Sequence, residues 1–242
     1  MLLNCDLGES FGNWRMGEDA LAMPHIDLAN IACGFHGGDP QVMARTLALA
    51  KHHQVSIGAH PSYPDRQGFG RRSMALSADE LCSDLHYQIA ALEGMARVQG
   101  LTQRYVKPHG ALYNDMMRDN AILATVMQAI ADYPSELQLM LLATGQRQQH
   151  ELMAQQHGLS LLFEAFADRR YTDQGTLTPR SQSGSVLDKQ AMLEQVQLLV
   201  AEAKVITDSG QSLALNADTL CVHGDNLEAV NAIKEIRALC AR

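Results

Sequence analysis

The sequence predicts an α/β fold with a parallel sheet, carried by one domain spanning residues 1–242. Three observations predict it. Short apolar runs of strand length alternate with longer amphipathic stretches of helix length along the whole chain. About seven β/α units follow one another, and such alternation builds a parallel sheet, either closed as a barrel or open and doubly wound. No Gly/Ser linker, shift of composition or visible repeat interrupts the series.

The first strand covers 2–7 and the second 26–33. Asp39 and Pro40 then open a helix that continues to His53. Asp is a good N-cap, and Pro at the first helical position forfeits no hydrogen bond. The third strand covers 55–59. Ser77 and Glu80 have capping-box spacing, and the helix behind them runs to about residue 98 before Gly100. The fourth strand covers 104–107; Asp119 caps a helix over 121–131, ended by Pro134. The fifth strand covers 137–143, and a helix over 146–156 ends at Gly158, suited to a left-handed C-cap. The sixth strand covers 159–165. Asp188 opens a long helix to about residue 207, and the seventh strand covers 213–222. Asp225 with Glu228 caps the last helix, over 227–241. The irregular stretch 166–186 is rich in Arg, Thr, Ser and Gly; a loop of that length inside a compact domain is usually functional or mobile.

Composition narrows the function classes. With 46% hydrophobic and 19% charged residues the chain is globular, neither disordered nor fibrous. No apolar run approaches the roughly 20 residues of a membrane span, and the first residues carry no signal-peptide apolar region. Five scattered Cys without a C-x-x-C pair predict reduced thiols in a cytoplasmic protein. A formal net charge of −8 disfavours bulk nucleic-acid binding.

Polar residues recur at strand ends. The first strand leads into Asp6, Gly8 and Glu9; the second into Gly34, His36, Gly38 and Asp39; the third into His60 and Pro61. The fourth leads into Lys107, Pro108, His109 and Gly110, the sixth into Glu164, Asp168, Arg169 and Arg170, and the seventh into His223 and Gly224. In a parallel β/α fold these carboxyl ends share one face, where such folds build active sites. Convergent titratable groups at one mouth are the default site. Asp39 and Asp225 also read as N-caps. His52 and His53 read as surface, His86, His150 and His157 as solvated helix residues, and Cys33 as a buried thiol rather than a nucleophile. The sequence has no G-x-x-x-x-G-K-[ST], G-x-G-x-x-G or H-E-x-x-H motif, which disfavours a standard nucleotide fold and a zincin. A mouth of His, carboxylates, Lys and Arg suits hydrolysis of a small anionic molecule, with or without a metal.

Seven segments taken together resemble the LamB/YcsF family. They are 3–10 (LNCDLGES), 30–39 (NIACGFHGGD), 57–65 (IGAHPSYPD), 68–72 (GFGRR), 106–114 (VKPHGALYN), 164–171 (EAFADRRY) and 221–226 (CVHGDN). The resemblance covers the whole chain, with one departure at Gly37, where the family often has Ala. It implies a distorted seven-stranded β/α barrel, similar to the glycoside hydrolase/deacetylase superfamily. It also implies ATP-dependent opening of 5-oxo-L-proline to L-glutamate, with ATP as co-substrate, Mg²⁺, and partner subunits B and C.

That reaction fits the mouth. A lactam is a resonance-stabilised amide, so phosphorylating its oxygen makes the carbon electrophilic. The candidate catalytic residues are Asp6, Glu9, His36, His60, Lys107, His109 and His223. Asp6 or Glu9 would act as general base, and Lys107 and His109 would stabilise charge on oxygen. The candidate substrate-binding residues are Asp39, Glu164, Arg169, Arg170 and Arg180, the arginines suiting a carboxylate. Two alternatives stand beside this reading. One is a metal-dependent deacetylase or amidohydrolase with a transition metal on Asp6, His60 and His109. The other is a non-catalytic lactam-binding subunit.

Overall fold

The computed structural model describes residues 1–224 and 226–241. Its strands are β1 (Leu2–Leu7), β2 (Leu28–Ala32), β3 (Ser56–His60), β4 (Gln103–Val106), β5 (Gln138–Leu142), β6 (Leu161–Phe166), β7 (Lys204–Ile206), β8 (Ser212–Ala214) and β9 (Thr219–His223). Strands β1 to β6 pair in order and in parallel, and β9 pairs with both β6 and β1. The sheet therefore closes as a seven-stranded parallel barrel. It is distorted by a register shift between Ile57 and Gly58 where β3 meets β4.

The helices are α1 (Asp19–Ala22), α2 (Pro40–His53), α3 (Ala78–Val98), α4 (Gly110–Arg118), α5 (Asn120–Ala131), α6 (Arg147–Gln156), α7 (Lys189–Glu202) and α8 (Leu227–Cys240). Their starts follow the caps read from the sequence. The Asp39 carboxylate accepts from the Gln41 and Val42 amides, and Ser77 and Glu80 close a reciprocal capping box. Asp119 and Asp188 cap α5 and α7. The expected Asp225 cap lies outside the described residues; Asn226 Oδ1 accepts from the Ala229 amide at the start of α8.

Alternation along the strands separates two environments. Leu3, Cys5, Leu7, Ala29 and Ile31 join the large core between barrel and helices. Leu28, Tyr105 and Met140 form a separate small cluster inside the barrel. Asn4, Asp6, Asn30 and Glu164 are buried polar residues on the same inward rows. An interior that changes from apolar to polar opens towards the carboxyl ends.

Three expectations are corrected. The run 213–222 is not one strand: β8 pairs antiparallel with β7 outside the barrel, and only β9 completes it. The long helix stops at Glu202, because Ala203 is left-handed and the β-branched run Val205–Ile206–Thr207 enters a hairpin that turns at Gly210. His150 is 2% exposed rather than solvated, on the face of α6 that also buries Ala154 one turn on. His86 is half-buried and pairs with the Ala129 carbonyl. Among the described residues no helix is long and apolar enough to cross a membrane.

Candidate active site

The carboxyl ends of the barrel strands surround a cavity of about 450 Å³. Asp6, Glu9, His60, Lys107, His109 and His223 line it from the barrel, and Arg169 and Arg180 from the 166–186 loop. His36 stands behind, its ring stacked on His109 with centroids 3.7 Å apart.

Asp6 is held from beneath. Its Oδ1 accepts from Asn30 Nδ2 at 2.7 Å and from Lys107 Nζ at 2.9 Å, while Oδ2 lies 3.4 Å from His60 Nε2. Burial alone would raise its pKa, but His60 and Lys107 outweigh that and hold it well below the ordinary carboxylate value. Lys107 is 2% exposed and also meets Asn4 Oδ1, Cys221 Sγ and Glu164 Oε2 at 3.0 to 3.2 Å. Burial opposes its charge, yet the surrounding Asp6, Cys221 and Glu164 keep its pKa well above that of a free lysine. Its ammonium, at the cavity wall, compensates the charge of Asp6 and holds that carboxylate in place.

The histidines have fixed tautomers. His60 Nδ1 donates to the Lys107 carbonyl at 2.7 Å, and His109 Nε2 donates to the Phe69 carbonyl at 2.9 Å. Phe69 takes a left-handed φ of 54° to aim that carbonyl, a conformation that costs a non-glycine residue on the order of 1–2 kcal/mol. Gly70 and Gly110, also left-handed, meet closely: the Ala111 amide donates to the Gly70 carbonyl at 2.8 Å, and a Cβ at Gly110 would strike that oxygen. This contact seats the 65–72 loop on His109. Burial first, and then neighbouring histidines, hold His36 and His109 well below the ordinary imidazole pKa, so both are neutral. Glu9 Oε1 lies 3.2 Å from His36 Nε2 and 3.4 Å from His109 Nδ1.

On another side of the cavity His223 Nδ1 pairs with Asp168 Oδ1 at 2.8 Å, and Asn226 Nδ2 donates to Asp168 Oδ2 at 2.9 Å. Burial would raise the Asp168 pKa, but His223 above all brings it down to about 2. The ionised Asp168 orients His223, whose ring also stacks on Phe166. Arg169 is 6% exposed, donates to the Thr178 and Ser185 carbonyls, and has its pKa lowered to about 10 by burial and by the charge of Arg180. Two guanidinium groups close enough to oppose each other's charge make this side ready for an anion.

The LamB/YcsF family profile matches residues 1–242. The chain belongs to the LamB/YcsF family. A Pseudomonas putida protein, named as the second of that organism's 5-oxoprolinase A subunits, is 54% identical over 238 residues, 98% of this chain and 92% of that one. The 5-oxoprolinase A subunit of Vibrio parahaemolyticus is 51% identical over 238 residues, 98% and 94% of the two chains. A crystal structure of a lactam utilization protein from Thermus thermophilus matches with a TM-score of 0.90 at 40% identity, covering 100% of this chain and 97% of that one.

Within this LamB/YcsF barrel the remaining candidates divide. Glu164 is fully buried below the cavity, 3.0 Å from Lys107 Nζ, and does not line it. Asp39 does not line it either; it caps α2 and accepts from the Gly12 amide. Arg170 turns to the Gly184 carbonyl instead. Sequence reading misses Asn30, which is uncharged and binds Asp6 Oδ1, and leaves Asp168 without a role. The run Asp168–Arg169–Arg170 is the available signal for the last.

Proposed function

We propose that this LamB/YcsF chain is the ring-opening component of an ATP-dependent 5-oxoprolinase, converting 5-oxo-L-proline to L-glutamate together with subunits B and C in the cytoplasm. One observation carries the reading: a single cavity sets the Asp6–His60 pair, the Asp168–His223 pair and the Arg169–Arg180 pair around a space suited to a small anionic amide. The names of the relatives support the same substrate.

In this reading Arg169 and Arg180 hold the substrate carboxylate. Asp6 Oδ2, with His60, takes a proton from water as the water oxygen bonds to the lactam carbonyl carbon. The ring C–N bond then breaks. Protonated His223, oriented by Asp168, delivers its Nε2 proton to the departing ring nitrogen, which becomes the amine of glutamate. ATP makes the carbonyl carbon electrophilic by first phosphorylating the lactam oxygen, with release of ADP; C–N cleavage then leaves the new carboxyl as an acyl phosphate, which a second water hydrolyses to glutamate and inorganic phosphate. We assign the phosphoryl donor, with its Mg²⁺, to the partner subunits, since the sequence has no phosphate-loop motif.

A divalent ion at the mouth is a second reading with its own support. His60 and His109 each give one ring N–H to a backbone carbonyl and turn the other nitrogen inward, the arrangement of metal-bound histidines. Glu9, His36, His60 and His109 offer ligand atoms within 4.8 Å of one another and fit such an ion. When bound, it would supply Lewis-acid polarisation of an oxygen. The set Asp6, Cys221 and His223 fits less well, because the Lys107 ammonium already lies against Asp6 and Cys221.

The test is glutamate release from 5-oxoproline and ATP by the chain reconstituted with subunits B and C. Asp6→Ala is expected to abolish turnover while 5-oxoproline binding persists. Loss of affinity with an unchanged catalytic step would instead support a non-catalytic lactam-binding role.

A further inference from the structure

One layer of the barrel interior connects four strands. Asp6 on β1 is the register partner of Asn30 on β2, Asn30 of Gly58 on β3, and Gly58 of Tyr105 on β4. Gly58 leaves the space that the tyrosine uses: a Cβ there would overlap the Tyr105 ring. The ring crosses β3, and its hydroxyl donates to Asn30 Oδ1 at 2.8 Å. All three polar side chains are buried, Asn30 fully and Tyr105 to within 1%.

These bonds leave Asn30 one orientation. The Asp6 carboxylate is an acceptor only, so the amide must turn Nδ2 towards it and Oδ1 away. Nδ2 gives its two hydrogens to Asp6 Oδ1 at 2.7 Å and Asn4 Oδ1 at 2.8 Å. Tyr105 supplies the donor that satisfies the opposite end. Without that donor, Asn30 Oδ1 would be an unpaired acceptor in the barrel interior, and rotation of the amide would turn an oxygen on Asp6.

We propose that Asn30 and Tyr105 are positioning residues that fix the rotation of the Asp6 carboxylate, binding Oδ1 so that Oδ2 is the oxygen presented to His60. The proposal rests on Asp6 acting on the attacking water. It makes Gly58 part of the same device, as the gap through which Tyr105 reaches across a strand.

The test uses Tyr105→Phe, which keeps the ring and its packing and deletes only the hydroxyl, in the complex reconstituted with subunits B and C. The kcat is expected to fall on the order of tenfold or more while KM stays within about twofold, because substrate contacts are untouched and a reacting group is misaimed. A crystal structure of the variant is expected to show the Asn30 amide or the Asp6 carboxylate rotated. Gly58→Ala, which displaces the same ring, is expected to reproduce the kcat defect. A Tyr105→Phe enzyme with unchanged kcat, or one whose Asp6 carboxylate and Asn30 amide have not moved, overturns the proposal. Wild-type turnover by Asp6→Ala overturns the reading of Asp6 instead, and the crystal structure still decides whether Tyr105 sets its rotation.

Discussion

His60 Nε2 and His109 Nδ1 face each other at 2.9 Å. Each ring has already given its one neutral-state N–H to a backbone carbonyl. Two imidazole lone pairs at that separation repel unless a proton or a cation lies between them. The proton, when present, is placed to pass towards Asp6 Oδ2, 3.4 Å from His60 Nε2. The pair therefore suits a shared proton or a cation, and it sets the first expectation. His109→Ala should abolish turnover in the reconstituted enzyme with little loss of folding, whereas His52→Ala, at the exposed end of α2, should be near neutral. Steady-state rates and far-UV circular dichroism of the two variants check this, and equal activities would count against the site.

The same relationship gives an expectation about metals. Zn²⁺ added to metal-free protein should raise the melting temperature of the wild type but not of His109→Ala. Any ligand bound only by the folded state stabilises it, by about 2.7 kcal/mol at a hundredfold excess over its dissociation constant. Matching shifts in the two proteins would move the ion elsewhere and leave a shared proton between the rings.

Asp168 makes part of the stability depend on pH. Its folded pKa, about 2, lies below the ordinary value of 3.8, so folding favours its ionised form. The contribution is complete above the ordinary value and is lost as pH falls from about 4 to about 2. Its size is on the order of 2 kcal/mol, since each pKa unit is about 1.4 kcal/mol. Denaturant unfolding of wild type and Asp168→Asn should give a stability difference that shrinks across that window. A difference that stays constant from pH 7 to pH 3 would mean that His223 does not hold the carboxylate ionised.

Arg180 should govern substrate affinity without governing stability. It is exposed and lines the cavity from the loop. Losing one charged hydrogen bond, about 1.5–3 kcal/mol, should raise the KM for 5-oxoproline in Arg180→Ala roughly 10- to 100-fold. The melting temperature should be unchanged. A fall in kcat at constant KM would place Arg180 at the reacting atoms instead of at the carboxylate.

Chain position reveals which residues end strands, because an apolar run followed by a titratable residue is a local pattern. Asp6, His60, Lys107, His109 and His223 share one mouth for that reason. Partners across the barrel are not legible in this way. That Tyr105 reaches Asn30 depends on strand register and on the gap at Gly58, and neither is written in local spacing. The pairing of Asp168 with His223 needs β6 and β9 to be neighbours, although the β7–β8 hairpin separates them in sequence. Glu164 stands apart from the cavity for a related reason. Polarity and strand position mark it, but only closure shows that it lies below the cavity, against the Lys107 ammonium.

The isolated chain should be a poor 5-oxoprolinase. In the proposed reaction the cavity's Asp6 and His223 move protons from water and to the ring nitrogen, and its arginines hold the carboxylate. Hydrolysis of an unstrained amide by such groups is slow unless the carbonyl is first activated. Activation by ATP requires a phosphoryl donor held in line with the lactam oxygen, and positioning supplies much of phosphoryl-transfer catalysis. With that donor on subunits B and C, this chain should bind 5-oxoproline weakly and release little glutamate from it. Glutamate formation with ATP, measured for the chain alone and for the chain with subunits B and C, checks the division of labour. ATP-dependent turnover by the chain alone, at the rate of the complex, would sink the idea that catalysis is shared.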